Sequence, residues 1–541
     1  MRTSPRRVMR FTPTTLESLE ARAMLVANVT AQLVGENLKL VGDDLADRVE
    51  ITQDAAGNYV VSGFADIYDG HLTTVNGQTS VTFTPKTPLP VKIDAKMTDA
   101  GDWVQAFGIT AQSIKFSAGN GPNVLAVVTS TVRGAVTLTG GDGGGDTTVY
   151  GVTAGALAIK TGAGADNVLV TGSTISRGIT VDTGTGMDTA RVEYGSADRL
   201  DVTTGGGAVS SFAYVDNFNT AGAINVTVGA GTGFSAGTVY AGAARSVNVS
   251  AGTPGVPAHN EGSVSSMLVN GPITVYASGD AWADLNTATA VSLSTFGYAN
   301  AGGNTVSGPI TVTVGPSPYS HADVYQNTAT ALTLTSTGDA DDVLDGNNIS
   351  GPIAVKVTGA RGVASTNNTG TSLTLQTGSP GNTNFAYAYS QGDDIAGPIT
   401  ISASGGSGSF ASAFQSTSTG TMSIRVDGDG AAVYAGFLVA PAVHLQASGG
   451  HNFFDAEGSF SGDLTVTSGG PSSTLDFGLN YGPVSVGGTL TATMAGGDNT
   501  VFVVAPLTAT GTIDGGPGVN TLTGVGNVPP TVKVKNFQNV S

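Results

Sequence analysis

Asp142, Asp146, Asp166, Asp182 and Asp188 crowd one short stretch of a 541-residue chain. Carboxylates at that density repel one another unless something positive stands between them. The cation that suits them is calcium, which takes roughly six to eight oxygens from carboxylates, carbonyls and water. A weak calcium site over residues 140–188 is therefore expected, and no other cofactor is. Proton-transfer chemistry has fewer candidates. A polysaccharide hydrolase or lyase needs clustered carboxylates with a Lys or Arg beside them. The stretches "DADD" at 339–342 and "GDD" at 392–394 are the only acid clusters in the middle of the chain. Between 200 and 530 the basic residues are Arg245, Lys356, Arg361 and Arg425. With so few bases, no enzyme activity is expected.

Other chemistries are thinner still. There are no cysteines, so disulfides, thiolate metal sites and cysteine nucleophiles are excluded. The five histidines, at 71, 259, 321, 444 and 451, show no zinc spacing. "TGAGADN" at 161–167 lacks the Gly-Lys-Ser/Thr of a phosphate loop. Trp103 and Trp282 are the only tryptophans; Tyr325, Phe385, Tyr387 and Phe414 could form an aromatic row, in the core or as a side ladder.

The elements that must position these residues announce themselves by repetition. "NGPITV" at 270–275 returns as "SGPITV" at 307–312, "SGPIAV" at 350–355 and "AGPITI" at 396–401. Between these lie "AVSLSTFG" at 290–297, "ALTLTSTG" at 331–338 and "SLTLQTG" at 372–378. All share an apolar–any–apolar core followed by a Gly. That core starts at Ile114, Val136, Leu157, Ile179, Leu200, Ile224, Val247, Ile273, Val291, Ile310, Leu332, Ile353, Leu373, Ile399, Met422, Val443, Leu464 and Leu490, a mean step of about 22 residues. Alternation with period two marks a strand with one buried face. A unit this short cannot bury its own apolar face and must stack on its neighbours. The expected fold is all-β, a single parallel β-helix of about 20 coils of about 22 residues, with room for about three short strands per coil. The outward row of Thr274, Ser292, Thr311, Thr333, Thr374, Thr400 and Thr465 offers weak hydrogen bonds and no strong base.

The Gly-Pro-Ile words mark a corner in every second coil, where Gly admits a sharp bend and Pro needs no donor; "TAT", "TGT" or "TST" stands there in the others. Asn or Asp recurs nine residues after the strand start, at Asn123, Asp166, Asp188, Asp341, Asn382 and Asn499. Stacked in register, these residues would form a hydrogen-bonded Asn/Asp ladder along one edge. The loops "GAGAD" and "GTGMD" resemble half of the Gly-Gly-x-Gly-x-Asp calcium repeats of bacterial β-rolls. Those repeats recur every nine residues, however, and these do not.

Composition and charge bound the function. With 79 glycines, 11% charged and 40% hydrophobic residues, there is ample core material and little helix-forming sequence. The net charge of −18 is uneven: residues 1–27 carry five Arg and two Glu, and the rest of the chain carries 17 basic against 38 acidic residues. Such a surface repels nucleic acid and anionic lipid. No apolar run is long enough to span a membrane. Within "LESLEARAML" at 16–25, Leu16, Glu17, Leu19, Glu20, Arg22 and Leu25 match a Leu-Glu-x-Leu-Glu-x-Arg motif. In this the chain resembles exported planctomycete β-repeat proteins, whose motif stands just before a long repeat region. That resemblance implies export to the periplasm, the cell surface or the extracellular space, and no chemistry. The expected organisation is a basic, unstructured export segment (1–27), N-terminal capping coils (28–110) and a β-helix repeat region (111–541). The expected function is a structural or adhesive surface rod, with polysaccharide or other surface proteins as partners. A carbohydrate-binding or carbohydrate-active β-helix is the alternative.

Overall fold

The eighteen strand starts named from the sequence stand in one continuous column. Ile114 is in register with Val136, Val136 with Leu157 and Leu157 with Ile179, and the chain of pairs runs unbroken through Ile273, Ile310, Ile353 and Met422 to Leu464 and Leu490. The protein is a parallel β-solenoid of about 20 coils with about 22 residues per turn. The computed structural model describes residues 26–541 apart from 66–71, 88, 207–209, 232, 254–255, 257, 339–340, 360–361 and 380–382. The 16–25 motif, His71, Asp339, Arg361 and Asn382 lie outside the described residues.

Each full coil contributes to three sheets. In one coil, Pro309–Val314 lies in sheet A, His321–Tyr325 in sheet B and the two-residue strand Thr328–Ala329 in sheet C. Sheet A then begins its next strand at Ala331–Ser336. Alternation sets the interior: Ile310, Val312 and Val314 are buried, and so are Ala322 and Val324 across the lumen in sheet B. Branched residues on A face mainly small ones on B in this region, a large-to-small match that suits close packing.

The N-terminal end departs from the parallel pattern. Ala27–Val34 pairs antiparallel with Asn37–Val41, and Tyr59–Gly63 pairs antiparallel with both Arg48–Gln53 and Ser80–Phe83. Ala27–Val34 also pairs in parallel with Thr73–Val75, and Asn37–Val41 and Arg48–Gln53 pair in parallel with Lys92–Lys96 and Trp103–Phe107, from which the stack continues.

The glycine of the Gly-Pro-Ile words has a different cause from the sharp bend expected. Gly271, Gly308, Gly351 and Gly397 are absent from the left-handed positions. A Cβ on Gly308 would sit 2.3 Å from the Thr289 carbonyl oxygen of the previous coil, and on Gly351 2.2 Å from that of Thr330. These glycines let the C–A corner stack closely. Left-handed backbone collects instead at the B–C corner, at Leu285, Gly303, Gln326, Gly346, Asn367, Gly392 and Gln415.

Immediately after each left-handed residue comes a second, unforeseen ladder. Asn286, Asn304, Asn327, Asn347 and Asn368 are buried one above another. The Asn327 side-chain oxygen accepts from the Asn304 backbone N–H at 3.0 Å and from its side-chain amide at 2.9 Å. Its own amide donates to the Ala301 carbonyl at 2.8 Å and to Asn347 Oδ1 at 3.0 Å. Replacing Asn327 by Ala would strand several buried donors and acceptors, each costing about 1–3 kcal/mol. Hydrogen exchange should show loss of protection spreading to the coils of Asn304 and Asn347, whereas Asn348→Ala, at an exposed position, should leave it unchanged.

Candidate functional site

The A–B corner holds the ladder expected from sequence at Asn123, Asp166, Asp188 and Asn499, but in the coil where Asp341 was expected its neighbour Asp342 takes the place, and the ladder decides where the aspartates point. The Asp47 N–H donates to Asp102 Oδ1 at 2.9 Å, and the Asp102 N–H to Asn123 Oδ1 at 3.0 Å. Farther along, the Asp166 N–H donates to Asp188 Oδ1 at 3.1 Å, and the Ser473 N–H to Asn499 Oδ1 at 2.9 Å. Asp47, Asp102, Asp166 and Asp188 are all buried. Burial pushes Asp166 up to about 6. In the intervening coil the ladder position is Gly145, and Asp146, one residue later, faces outward by strand parity.

The five aspartates of 140–188 therefore serve different surfaces. Asp142 is exposed and accepts from the Ala163 N–H at 3.1 Å. Asp146 is exposed and accepts from Asn167 Nδ2 at 3.3 Å. Asp182 is half-buried and caps the Gly184 N–H at 3.1 Å. Asp166 and Asp188 point into the ladder. Among the described residues no group of three or more His, Cys, Asp or Glu side chains is arranged to hold a metal ion.

The acid clusters considered for proton transfer are likewise divided. Asp342 is fully buried and accepts from the Ala322 N–H at 2.7 Å, while Asp341 is half-buried. Burial raises Asp342 to about 7. Asp393 is buried at the foot of the second ladder, accepting from the Asn368 N–H at 2.8 Å, and Asp394 is exposed. Neither pair opens together onto a cleft.

The outward faces of sheets A and B differ in chemistry. On A, Thr274, Ser292, Thr311 and Thr333 stand in register, as do Thr374 and Thr400, and His444 and Thr465. Arg425, also on A, is engaged by Asp427 at 3.0 Å. Sheet B presents aromatic and acidic side chains. Trp282 lies edge-on to Tyr298 with centroids 5.0 Å apart, and Tyr298 packs on His321 at 4.5 Å. The Tyr298 hydroxyl donates to Asp323 Oδ2 at 2.7 Å and accepts from Asn300 Nδ2 at 2.8 Å. Burial, together with Asp323, pushes the Tyr298 hydroxyl well above its ordinary value, so it remains a donor. Compared with known protein families, with curated proteins and with solved structures, the chain returns no match.

A second aromatic group lies farther along B. Tyr387 and Phe410 stack at 5.5 Å with ring planes 11° apart; Phe385, Tyr434 and Phe453 extend the row. Two members of the row expected from sequence, Phe385 and Tyr387, belong to this side ladder. Phe410, Tyr434 and Phe453 complete it. Their signal was present in the sequence as aromatic residues recurring near the start of the B strands. Tyr325 stands apart, beside Gly302, and Phe414 contacts Tyr481. Among the described residues no helix is long and apolar enough to cross a membrane.

Proposed function

We propose that the protein is an exported structural or adhesive surface rod that holds polysaccharide along the outward face of sheet B. The observation carrying this reading is the division of labour between faces. Sheet A is a hydrated Thr/Ser surface, while B lines up Trp282, Tyr298, Tyr387, Phe410, Tyr434 and Phe453 among Asn300, Asp323 and Ser412. Aromatic rings offer apolar area to sugar rings, and flanking amides and carboxylates bind hydroxyls. Weak contacts repeated along a rod add up by multivalency. The net charge of −18 favours neutral or cationic polymers over nucleic acid.

The test incubates the purified full chain with insoluble neutral and acidic polysaccharides. Retention without new reducing ends or unsaturated products is expected. Tyr387→Ala with Phe410→Ala should weaken retention by about fivefold or more, since each aromatic contact contributes on the order of 1 kcal/mol. Turnover that disappears in Asp323→Asn would replace this reading with a carbohydrate-active enzyme.

A further inference from the structure

One B–C connection is longer than the two-residue links that recur along this edge. Two residues separate Phe410–Phe414 in sheet B from Thr417–Ser418 in sheet C. The corresponding connection after Thr474–Phe477 runs over 478–483 before Val484. These extra residues form a strap with glycines at both ends, Gly478 at φ 78° and Gly482 at φ 88°. Its ends touch: a Cβ on Gly478 would lie 2.5 Å from the Gly482 carbonyl oxygen. Its middle folds back across earlier coils. The Tyr481 ring lies 6.0 Å from Phe437 and 6.4 Å from Phe414.

Beneath the strap lie three carboxyl groups on the outward side of sheet B. Asp455 and Glu457 share one strand, and Asp476 is in register with Asp455 in the next coil. They are 3%, 0% and 5% exposed, although strand parity points them away from the core. The strap holds Asp455 and Glu457 through Asn480. Its N–H donates to Glu457 Oε1 at 2.7 Å, and its side-chain amide donates to Glu457 Oε1 at 2.9 Å and Asp455 Oδ2 at 3.3 Å. Asp455 Oδ1, Glu457 Oε2 and Asp476 Oδ1 are buried with no donor. From 426 to 532 the sequence has no Lys or Arg. Beyond the three acids themselves, the titratable group in register with the cluster is Tyr434 of the preceding coil, which brings no positive charge.

Three carboxylates cannot all ionise in such a place. A proton held between Asp455 and Glu457 supplies the missing donor. We propose that the 478–483 strap is a proton-operated latch, closed while the Asp455–Glu457 pair shares a proton and released when both carboxyls ionise. Release uncovers the three carboxylates and frees Phe414 and the already exposed Phe437 from Tyr481, lengthening the aromatic and acidic face of sheet B. The latch stands on its own geometry, whatever that face binds. Burial first, and then Glu457, lift Asp455 to about 7. With the closed state titrating near 7 and an uncovered carboxyl near 3.8, closure is complete below about pH 4 and is lost as pH rises toward 7.

Hydrogen exchange of the full chain, corrected for the intrinsic pH dependence of exchange, tests this at pH 4.5 and 7.5. The Asn480 region should lose about tenfold or more of its protection at pH 7.5, measured against Asp463–Pro471 on sheet A as the internal reference. Asp455→Asn, and separately Glu457→Gln, should keep the strap closed at both pH values. Equal protection in the wild-type chain at the two pH values would overturn the latch, as would unchanged pH-dependent opening in both variants. Restoration of protection at pH 7.5 by calcium chloride would overturn it too, making the cluster a cation site.

Discussion

Ile310→Asp should melt the middle of the solenoid, whereas Thr311→Asp, one residue away, should change stability little. Ile310 is fully buried between Val291 and Leu332 in the column of sheet A. An aspartate there would place an unpaired carboxylate among aliphatic side chains and remove their contacts, a loss of several kcal/mol. Thr311 faces outward between Ser292 and Thr333, where a carboxylate stays hydrated. Because each coil is templated by its neighbours, damage at Ile310 should spread to the coils of Val291 and Leu332 before the ends are affected. Thermal melts, with hydrogen exchange to locate the loss, give the comparison. Equal melting temperatures would mean that the register is wrong by one residue, since such a slip exchanges the two faces of every strand.

That register was legible in the sequence because alternation and turn spacing are local. Ile310, Thr311, Val312 and Thr313 alternate in the chain as they do across the sheet, and like units can stack only in register. The Asn/Asp ladder at the A–B corner was legible for the same reason, through Asn123, Asp166, Asp188 and Asn499. The B–C ladder was less so: Asn286, Asn304, Asn327, Asn347 and Asn368 sit among many Asn, Thr and Ser residues, and their distinction is a left-handed predecessor that composition does not reveal. Gly308 was recognised as a corner, but its cause, the Thr289 carbonyl of the previous coil, belongs to stacking and not to local sequence. Burial of Asp455, Glu457 and Asp476 was illegible, because strand parity sets them outward and only the folded-back strap covers them. Likewise, Asp166 and Asp188 look like neighbours of Asp142 and Asp146 in the sequence, yet one residue of phase turns Asp146 outward, and Asp142 sits in the turn before the strand.

Acidification should stabilise this protein, the reverse of ordinary acid denaturation. Burial raises Asp47, Asp102 and Asp342 to about 7, and Asp166, Asp284 and Asp476 to about 6, from a usual value of 3.8. A carboxyl raised in the folded state binds its proton more tightly there than in the unfolded chain. Its contribution is therefore fully present below about pH 4 and is lost as pH rises through 6 to 7. Lowering the pH also relieves the repulsion of a chain with net charge −18. The melting temperature should climb by about 5 °C or more between pH 7.5 and 4.5, the effect of a few kcal/mol on a chain of this kind. Asp102 offers the sharpest check. It occupies the same ladder position as Asn123 in the next coil, and Asn123 makes the same acceptor contact while its amide donates to the Gly119 and Gly121 carbonyls at 2.7 and 2.6 Å. Asp102→Asn thus puts into one coil a side chain that its neighbour already accommodates, and it removes a titrating group. The variant should melt higher than the wild-type chain at pH 7.5 and match it at pH 4.5, so that its pH dependence is shallower. A variant that is less stable at both pH values would show that Asp102 is ionised in the wall and held there by contacts that an amide cannot make.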